Sequence, residues 1–487
     1  MLQVRDQQLV RDEGYVDGRW VQGIDGRRFA VEDPATGDEI AQVARFTAQD
    51  AHNAIEAASK AFSDWRTTPA RKRSAVLIEW ARLMREHIED LGTIMSSEQG
   101  KPTAEAQAEV GSSAAFVEWF AEEAKRVYGD TIPAPTPDRR SLVLKEPIGV
   151  CVGITPWNFP SSMIARKVAP ALAAGCTMVL KPAEQTPLSA LALAELADRA
   201  GIPAGVLNVV PTDADGAPEI GREFTKNPLV RKLSFTGSTE VGKLLMEQCA
   251  STVKKVSLEL GGSAPFIVFE DADIEEAIAG LVRCKFLNAG QTCISANRIL
   301  VQDGVYDEFA SRLVDAISSL EPGAASDGAS IGPLIDEDGL SKVKRHVEDA
   351  IEKGAEVLAG GDQPDLGGTF FAATVLTGVT RDMLLMHEET FGPVAGLLRF
   401  ETEAEAIEIA NDTPYGLASY FYSRDIGRVW RVSEGLQFGM VGANSGVVVG
   451  ESTPFGGVKA SGIGREGSKY GIDDWIEIKY VSMGGLA

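Results

Sequence analysis

At 487 residues the chain is too long for one hydrophobic core, so two or three domains or lobes are expected. Its 70 acidic residues against 47 basic ones leave a net charge of -23, which removes the basic footprint that a nucleic-acid backbone requires. A hydrophobic content of 44% with 24% charged residues fits a soluble globular chain and excludes disordered and fibrous classes.

The N-terminal segment MLQVRDQQLVRDEGYVDGRW mixes charges and lacks an apolar h-region, so it does not read as a signal peptide. Residues 46–130 read as helical, with apolar positions at three-and-four spacing in AQDAHNAIEAASKAFSDW and RSAVLIEWARLMREHIEDLGTIMSSE. From about residue 148 short β-rich runs alternate with helices: GVCVGI, TMVL, GVLNVV, KLSF and KVSLEL. That alternation implies right-handed βαβ units and a parallel sheet covered on both faces. For the helix after TMVLKPAEQ, Thr186 reads as N-cap, Pro187 as first helical residue, and Gly201 as its end. In a second αβ series Asp273 and Glu276 resemble a capping box. That helix runs out near Asn288, and ANRILVQ follows as a strand. SLVLK at Ser141 and DWIEIKYV at Asp474 read as strands, and glycines cluster in loops at 361–368 and 437–464. No apolar run of about 20 residues occurs, so no membrane partner is expected.

The five cysteines (Cys151, Cys176, Cys249, Cys284 and Cys293) are odd in number and scattered, the usage of free thiols in the cytoplasm. The four histidines have no metal-ligand spacing with one another or with a cysteine, so no metal is expected. Cys293 differs from the other cysteines in location, in a Gly/Gln/Thr loop (NAGQTCIS) between helix and strand. There a thiol can face a cleft as a nucleophile, although residue type alone reads equally as a small buried hydrophobe. Glu259 leaves an apolar strand into a Gly-Gly turn, so its pKa should be raised, as suits a general base near neutral pH. An ordinary strand-end carboxylate is the alternative. Asn158, in TPWNFP after the first parallel strand, is placed either to donate to an oxyanion or merely to shape a turn. Lys181 and Glu184 follow the next strand at the same edge, and FTGSTEVG opens a helix whose amides suit a pyrophosphate. It is not a G-x-G-x-x-G fingerprint.

TPWNFP, LKPAEQTPLSAL, KLSFTGSTEVG, VSLELGGSAPFIVF, NAGQTCISANR, EETFGPV, NDTPYGLA and PFGGVKASGIGREG together resemble the aldehyde dehydrogenase superfamily, in its order, over roughly residues 15–480. The resemblance implies an α/β fold with a Rossmann-type cofactor domain (1–129 and 148–258), an α/β catalytic domain (259–453) and a small β oligomerisation arm (130–147 and 454–487). It implies oxidation of an aldehyde to its acid through a thioester on Cys293, with Glu259 activating water and Asn158 sharing the oxyanion hole with the Cys293 amide. Thr155, Trp157, Lys181, Glu184, Gly237, Ser238, Leu260, Glu389 and Phe391 would bind the cofactor, Lys181 and Glu184 at the adenine-side ribose and Glu389 at the nicotinamide ribose. A homodimer or homotetramer is implied.

Glu184 can accept hydrogen bonds from ribose hydroxyls but repels a 2′-phosphate, so NAD is expected as the preferred cofactor and NADP as the alternative. The subfamily that LKPAEQTPLSALALAELA, NPLVRKLSFTGSTEVG and GREGSKYGI resemble is succinate-semialdehyde dehydrogenase. It is expected to hold the substrate carboxylate with two arginines and a loop serine. Arg166 matches one arginine, but Leu287 stands six residues before Cys293 where the second belongs, and the serine position falls near Val449 and Gly450. Losing that bidentate contact costs about 1.5–3 kcal/mol. Ser295 replaces the second cysteine of some relatives, which excludes a local disulfide switch. A semialdehyde such as succinate semialdehyde therefore competes with another small, apolar or aromatic aldehyde. Arg166 has a plainer reading too, as the partner of a structural acid. A cysteine acyltransferase or hydrolase is the distant alternative, weakened because no histidine lies near these motifs except His387.

Overall fold

The structure, a computed structural model, describes residues 2–486. Among these residues the strands form sheets of eight, seven, three and two strands. The largest runs in the order Gly462–Ile463, Lys255–Glu259, Val230–Thr236, Val150–Ile154, Thr177–Lys181, Leu207–Val209, Gly14–Val16, Arg19–Val21. Its five middle strands are parallel and the others antiparallel. Cys151, Val152, Val179, Leu180, Leu233, Phe235 and Leu258 are buried, as the unbroken apolar runs require for strands covered on both faces. The chain lays down Val150–Ile154, Thr177–Lys181 and Leu207–Val209 in one direction, then returns to add Val230–Thr236 on the opposite side. The order thus reverses between Val150–Ile154 and Val230–Thr236, where loops diverge at the carboxyl edge and leave a crevice.

The helical reading of the N-terminal part is resolved into Ala48–Trp65, Ala70–Glu86, Ile88–Gln99 and Thr103–Glu123. The later helix spans Pro187–Arg199 as expected, yet Thr186 makes no side-chain cap bond among the described residues. Glu98, from the neighbouring helix, accepts from the Leu188 and Ser189 amides at 2.7 and 2.8 Å. The reason is burial: residues 187–197 are all enclosed, so a packed neighbour reaches the helix start where a solvent-facing cap is not needed. One half of the expected capping box at Ile274–Phe286 forms, Glu276 N–H donating to Asp273 Oδ1 at 3.4 Å; the return bond from Asp273 N–H to the Glu276 carboxylate is not made among the described residues, and Asp273 Oδ2 accepts from Arg424.

The seven-stranded sheet runs Glu356–Ala359, Thr374–Thr377, Val394–Phe400, Ala296–Gln302, Ala264–Val268, Ala418–Tyr422, Met440–Ala443, parallel except for its first pair. The three-stranded antiparallel sheet pairs Ile476–Met483 with Arg140–Pro147, and that strand with Asp130–Ile132. The C-terminal strand begins at Ile476, because Asp473–Trp475 form a tight turn at the expected start. Gly462–Ile463, expected within the arm, instead edges the large sheet against Leu258 and Glu259. Among the described residues no helix is long and apolar enough to cross a membrane.

Candidate active site

A cavity of about 350 Å³ opens at the reversal point, between the carboxyl edge of the large sheet and the loop carrying Cys293. Trp157, Asn158, Gly237, Ser238, Glu259 and Leu260 line it from the large sheet, and Cys293, Glu389 and Phe391 from the other side. Thr155, Lys181, Glu184, Arg166 and Leu287 do not line it. Glu184 lines an adjoining cleft that shares Ile335, Asp336 and Asp338 with the cavity.

The backbone before Cys293 is unusual. Asn288, Ala289 and Gly290 have φ of 53°, 54° and 75°, three successive left-handed residues. Ala289 gains nothing from that conformation, which costs about 1–2 kcal/mol for an L-residue. Amides over-determine it: Gln99 Nε2 donates to Asn288 Oδ1 at 2.9 Å, and Asn288 Nδ2 to the Asn158 carbonyl at 2.9 Å. Gln291 Nε2 donates to the Asn288 and Pro333 carbonyls at 3.1 and 3.2 Å, and Gln291 Oε1 accepts from Ile335 N–H at 2.9 Å. Cys293 is half-buried, whereas the other four cysteines are buried and free. Burial, then the negative charges of Glu389 and Glu259, push its thiol up to about 12. Asn158 Nδ2 donates one hydrogen to the Gln291 carbonyl at 3.0 Å, and its Oδ1 has no partner among the described residues. The second amide hydrogen remains available to a ligand.

Glu259 ends the Lys255–Glu259 strand at 3% exposure, and its Oε2 has no partner among the described residues. Burial, reinforced by the charge of Glu466, holds its carboxyl well above the ordinary range against the opposing charges of Lys167, Arg465 and Arg166. The direction agrees with the expectation from its strand-end position. Lys167 and Glu466 form a buried ion pair at 2.6 Å. At Gly456 of the PFGG segment a Cβ would fall 3.0 Å from Glu259 Oε1, so the glycine leaves room for the carboxylate.

Several features suit a dinucleotide. Ser238 caps the helix Thr239–Ala250 by accepting from Val241 N–H at 3.3 Å, so first-turn amides open at the crevice. Gly237 N–H donates to the Glu259 carbonyl at 3.1 Å, and the buried Thr236 Oγ1 has no partner among the described residues. Leu260 packs so closely on Gly242 that a Cβ there would stand 2.3 Å from its Cδ2. Thr155 N–H donates to the Lys181 carbonyl at 3.2 Å, and Lys181 Nζ reaches Glu184 Oε2 at 3.3 Å. Glu389 Oε1 accepts from Gly262 N–H at 3.2 Å, and burial pushes its carboxyl up to about 7. Trp157 and Phe391 meet edge to face, centroids 5.6 Å apart. These donors, carboxylates and close glycines fit a nicotinamide dinucleotide.

Arg166 is 5% exposed, its guanidinium 4.6 Å from the ring centroids of both Phe116 and Phe455. Its Nε and Nη1 have no partner, and no carboxylate pairs with it, among the described residues. The structural-acid alternative is therefore not what this side chain does. Leu287 is 40% exposed at the start of the strained turn.

Sequence reading missed Gln99, Lys101, Glu105 and Glu109, which bond to the loops of Asn158 and Cys293, and Lys342, which lines the cavity. Charges in an amphipathic helix read as a solvent face. The signal that could have found the first group is the Gly100-Lys101-Pro102 break between two helices.

The aldehyde dehydrogenase family signature matches residues 20–481. The chain is 58% identical to the 3-sulfolactaldehyde dehydrogenase of Pseudomonas putida, over 100% of both chains. It is 56% identical to the succinate-semialdehyde dehydrogenase [NADP(+)] GabD of Escherichia coli, over 99% of this chain and 100% of that one. The crystal structure of succinate-semialdehyde dehydrogenase from Burkholderia pseudomallei superposes with a TM-score of 0.97 at 54% identity, covering 99% of each chain. With a cysteine, a buried carboxylate and a dinucleotide-type crevice around one cavity, the chain belongs to the aldehyde dehydrogenase family, oxidoreductases that oxidise an aldehyde with NAD(P).

Proposed function

We propose that the enzyme oxidises a small aldehyde bearing an acid group, of the succinate-semialdehyde type, to the corresponding diacid. The observation that carries this reading is Arg166, a buried cation with two uncommitted donors. It lies one helical turn from the cavity-lining Met163, and its charge reaches both Cys293 and Glu259. A carboxylate satisfies such a group and an uncharged aldehyde leaves it orphaned. The names of the relatives, which act on succinate semialdehyde and 3-sulfolactaldehyde, point the same way.

Cys293 attacks the aldehyde carbon as the thiolate formed when its proton passes to solvent, and the free Nδ2 hydrogen of Asn158 with the Cys293 amide stabilises the oxyanion. NAD(P), when bound, supplies the acceptor that makes the step an oxidation. Glu259, held at a raised pKa, takes a proton from water, which attacks the thioester and returns the Cys293 thiol and the product acid. Gly237, Ser238, Thr155, Trp157 and Leu260 would hold the dinucleotide, with Lys181 and Glu184 at the adenine-side ribose and Glu389 and Phe391 at the nicotinamide end. Residues 2–129 and 148–258 would form the cofactor unit, with Gly462–Ile463 at the edge of its sheet, 259–453 the catalytic unit, and 130–147 with the rest of 454–486 the arm.

NAD is the proposed preference, because Glu184 places a carboxylate where a 2′-phosphate would have to sit. The Escherichia coli relative is named for NADP(+), which stands against this preference. We also infer a cytoplasmic homodimer or homotetramer. The edge strand Ile476–Met483 exposes Ile478 and Tyr480, the kind of edge another chain covers. Light scattering at the monomer mass would overturn it.

The deciding experiment is a panel of succinic, glutaric and sulfonated semialdehydes, short aliphatic aldehydes and benzaldehydes, each with NAD and NADP. The reading expects the highest kcat/KM for an acid-bearing aldehyde. A preference for an uncharged one overturns it.

A further inference from the structure

We propose that Lys101 is a positioning residue for the reaction, holding Asn158 in register with the Cys293 loop from the N-terminal helical layer. The proposal rests on the reading of Asn158 as oxyanion donor.

Lys101 lies in the break between helices Ile88–Gln99 and Thr103–Glu123 and is 1% exposed. Its ammonium is fully engaged. Nζ is 2.6 Å from Glu109 Oε2, donates to the Asn158 carbonyl at 2.8 Å, and stands 4.0 Å from the centroid of the Phe159 ring. Glu109 turns its other oxygen to the Ser161 and Ser162 amides, at 2.9 and 3.0 Å. Those amides open helix Pro160–Ala174, whose own N-cap residue Phe159 supplies no side-chain bond. The buried pair therefore grips the Asn158 loop on both sides, at the carbonyl of residue 158 and at the amides of residues 161 and 162.

The same segment reaches the nucleophile loop. Lys101 N–H donates to Gln99 Oε1 at 3.0 Å, and Gln99 Nε2 donates to Asn288 Oδ1. Glu105 accepts the Asn288 amide at 2.9 Å. Asn288 returns a bond to the Asn158 carbonyl, so that oxygen receives Lys101 and Asn288 together. An oxyanion donor is effective only when fixed before charge develops. Here neither side of the cavity fixes Asn158 alone; residues 99–109 tie the two sides together. A buried ion pair is weak evidence for stability, since apolar replacements often serve as well. Its value here lies in where its spare donor and acceptor point.

The test is a double-mutant cycle on the full chain with Lys101→Met, Asn158→Ala and both, reading the pre-steady-state burst of reduced cofactor and the Kd for NAD. Lys101→Met should slow the burst roughly 10- to 100-fold, within the loss seen when an oxyanion donor is disturbed, and leave the NAD Kd within twofold. On the Asn158→Ala background the same change should cost less than about threefold, because coupled residues are not additive. Equal factors in both backgrounds, or an unchanged burst in Lys101→Met, overturn the proposal. An unchanged burst in Asn158→Ala overturns the oxyanion reading and this proposal with it. Should the uncompensated Glu109 unfold the single variant, Lys101→Met with Glu109→Gln removes both charges and keeps an acceptor for the helix amides. The same loss is expected there, and a folded double variant with the parent burst rate overturns the proposal.

Discussion

The ammonium of Lys181 stands 3.3 Å from the carboxylate of Glu184, at the carboxyl edge of the sheet that carries the crevice. Each partly neutralises the other, so the cation is not free to welcome a 2′-phosphate while the acid is present. Glu184→Ser should shift the NADP/NAD ratio of kcat/KM toward NADP by roughly 10- to 100-fold, the range that one charge-assisted contact of about 1.5–3 kcal/mol commands. Steady-state kinetics with both cofactors check it, and a parent enzyme that already prefers NADP contradicts the role of Glu184.

Cys293→Ala should abolish turnover. Glu259→Gln should keep the burst of reduced cofactor but slow the steady state by roughly 100-fold or more, the range for general-base catalysis. Since burial raises the Glu259 pKa, its basic form is lost on acidification earlier than for an exposed carboxylate. Steady-state kcat should therefore fall as pH drops through that raised value, and the acid limb should vanish in Glu259→Gln. Equal loss of both phases would contradict the assignment.

The Cys293 thiol, pushed up to about 12, is protonated at neutral pH. In the cofactor-free protein its alkylation by iodoacetamide should rise about tenfold per pH unit from 7 to 10 with no plateau, because the thiolate fraction does. Mass spectrometry should find a single adduct, the other four cysteines being buried. A plateau below pH 9 would contradict the shift.

Leu287→Arg should raise kcat/KM for succinic semialdehyde roughly tenfold or more, by restoring a second bidentate contact worth about 1.5–3 kcal/mol. Arg166→Met should lower it by at least as much while sparing an uncharged aldehyde of similar size. A loss shared equally by both substrates would make Arg166 structural.

The five parallel strands of the large sheet and Ala296–Gln302 of the second were legible because each is a short apolar run bounded by turn residues, and helix Pro187–Arg199 because proline and glycine punctuate it. Glu259 was legible for the cost of enclosing a carboxylate. What escaped was long-range. Glu98 displaces Thr186 as cap across 90 residues of sequence, and Gln99 meets Asn288 across 189. No local pattern encodes such meetings; they appear only when a helical layer is folded onto the sheet. The antiparallel pairing that seats Gly462–Ile463 beside Leu258 was hidden for the same reason.

The turn before Cys293 has a consequence for how such an enzyme diversifies. Asn288, Ala289 and Gly290 are clamped in a left-handed conformation, yet Leu287, their neighbour, has φ of -53° and stands 40% in the open. On the proposed reading, a change at 287 would alter which aldehyde is welcomed without disturbing the frame that performs the chemistry. Substrate choice and reaction chemistry would then be inherited separately within one loop, and a lineage could explore new aldehydes at little risk to catalysis.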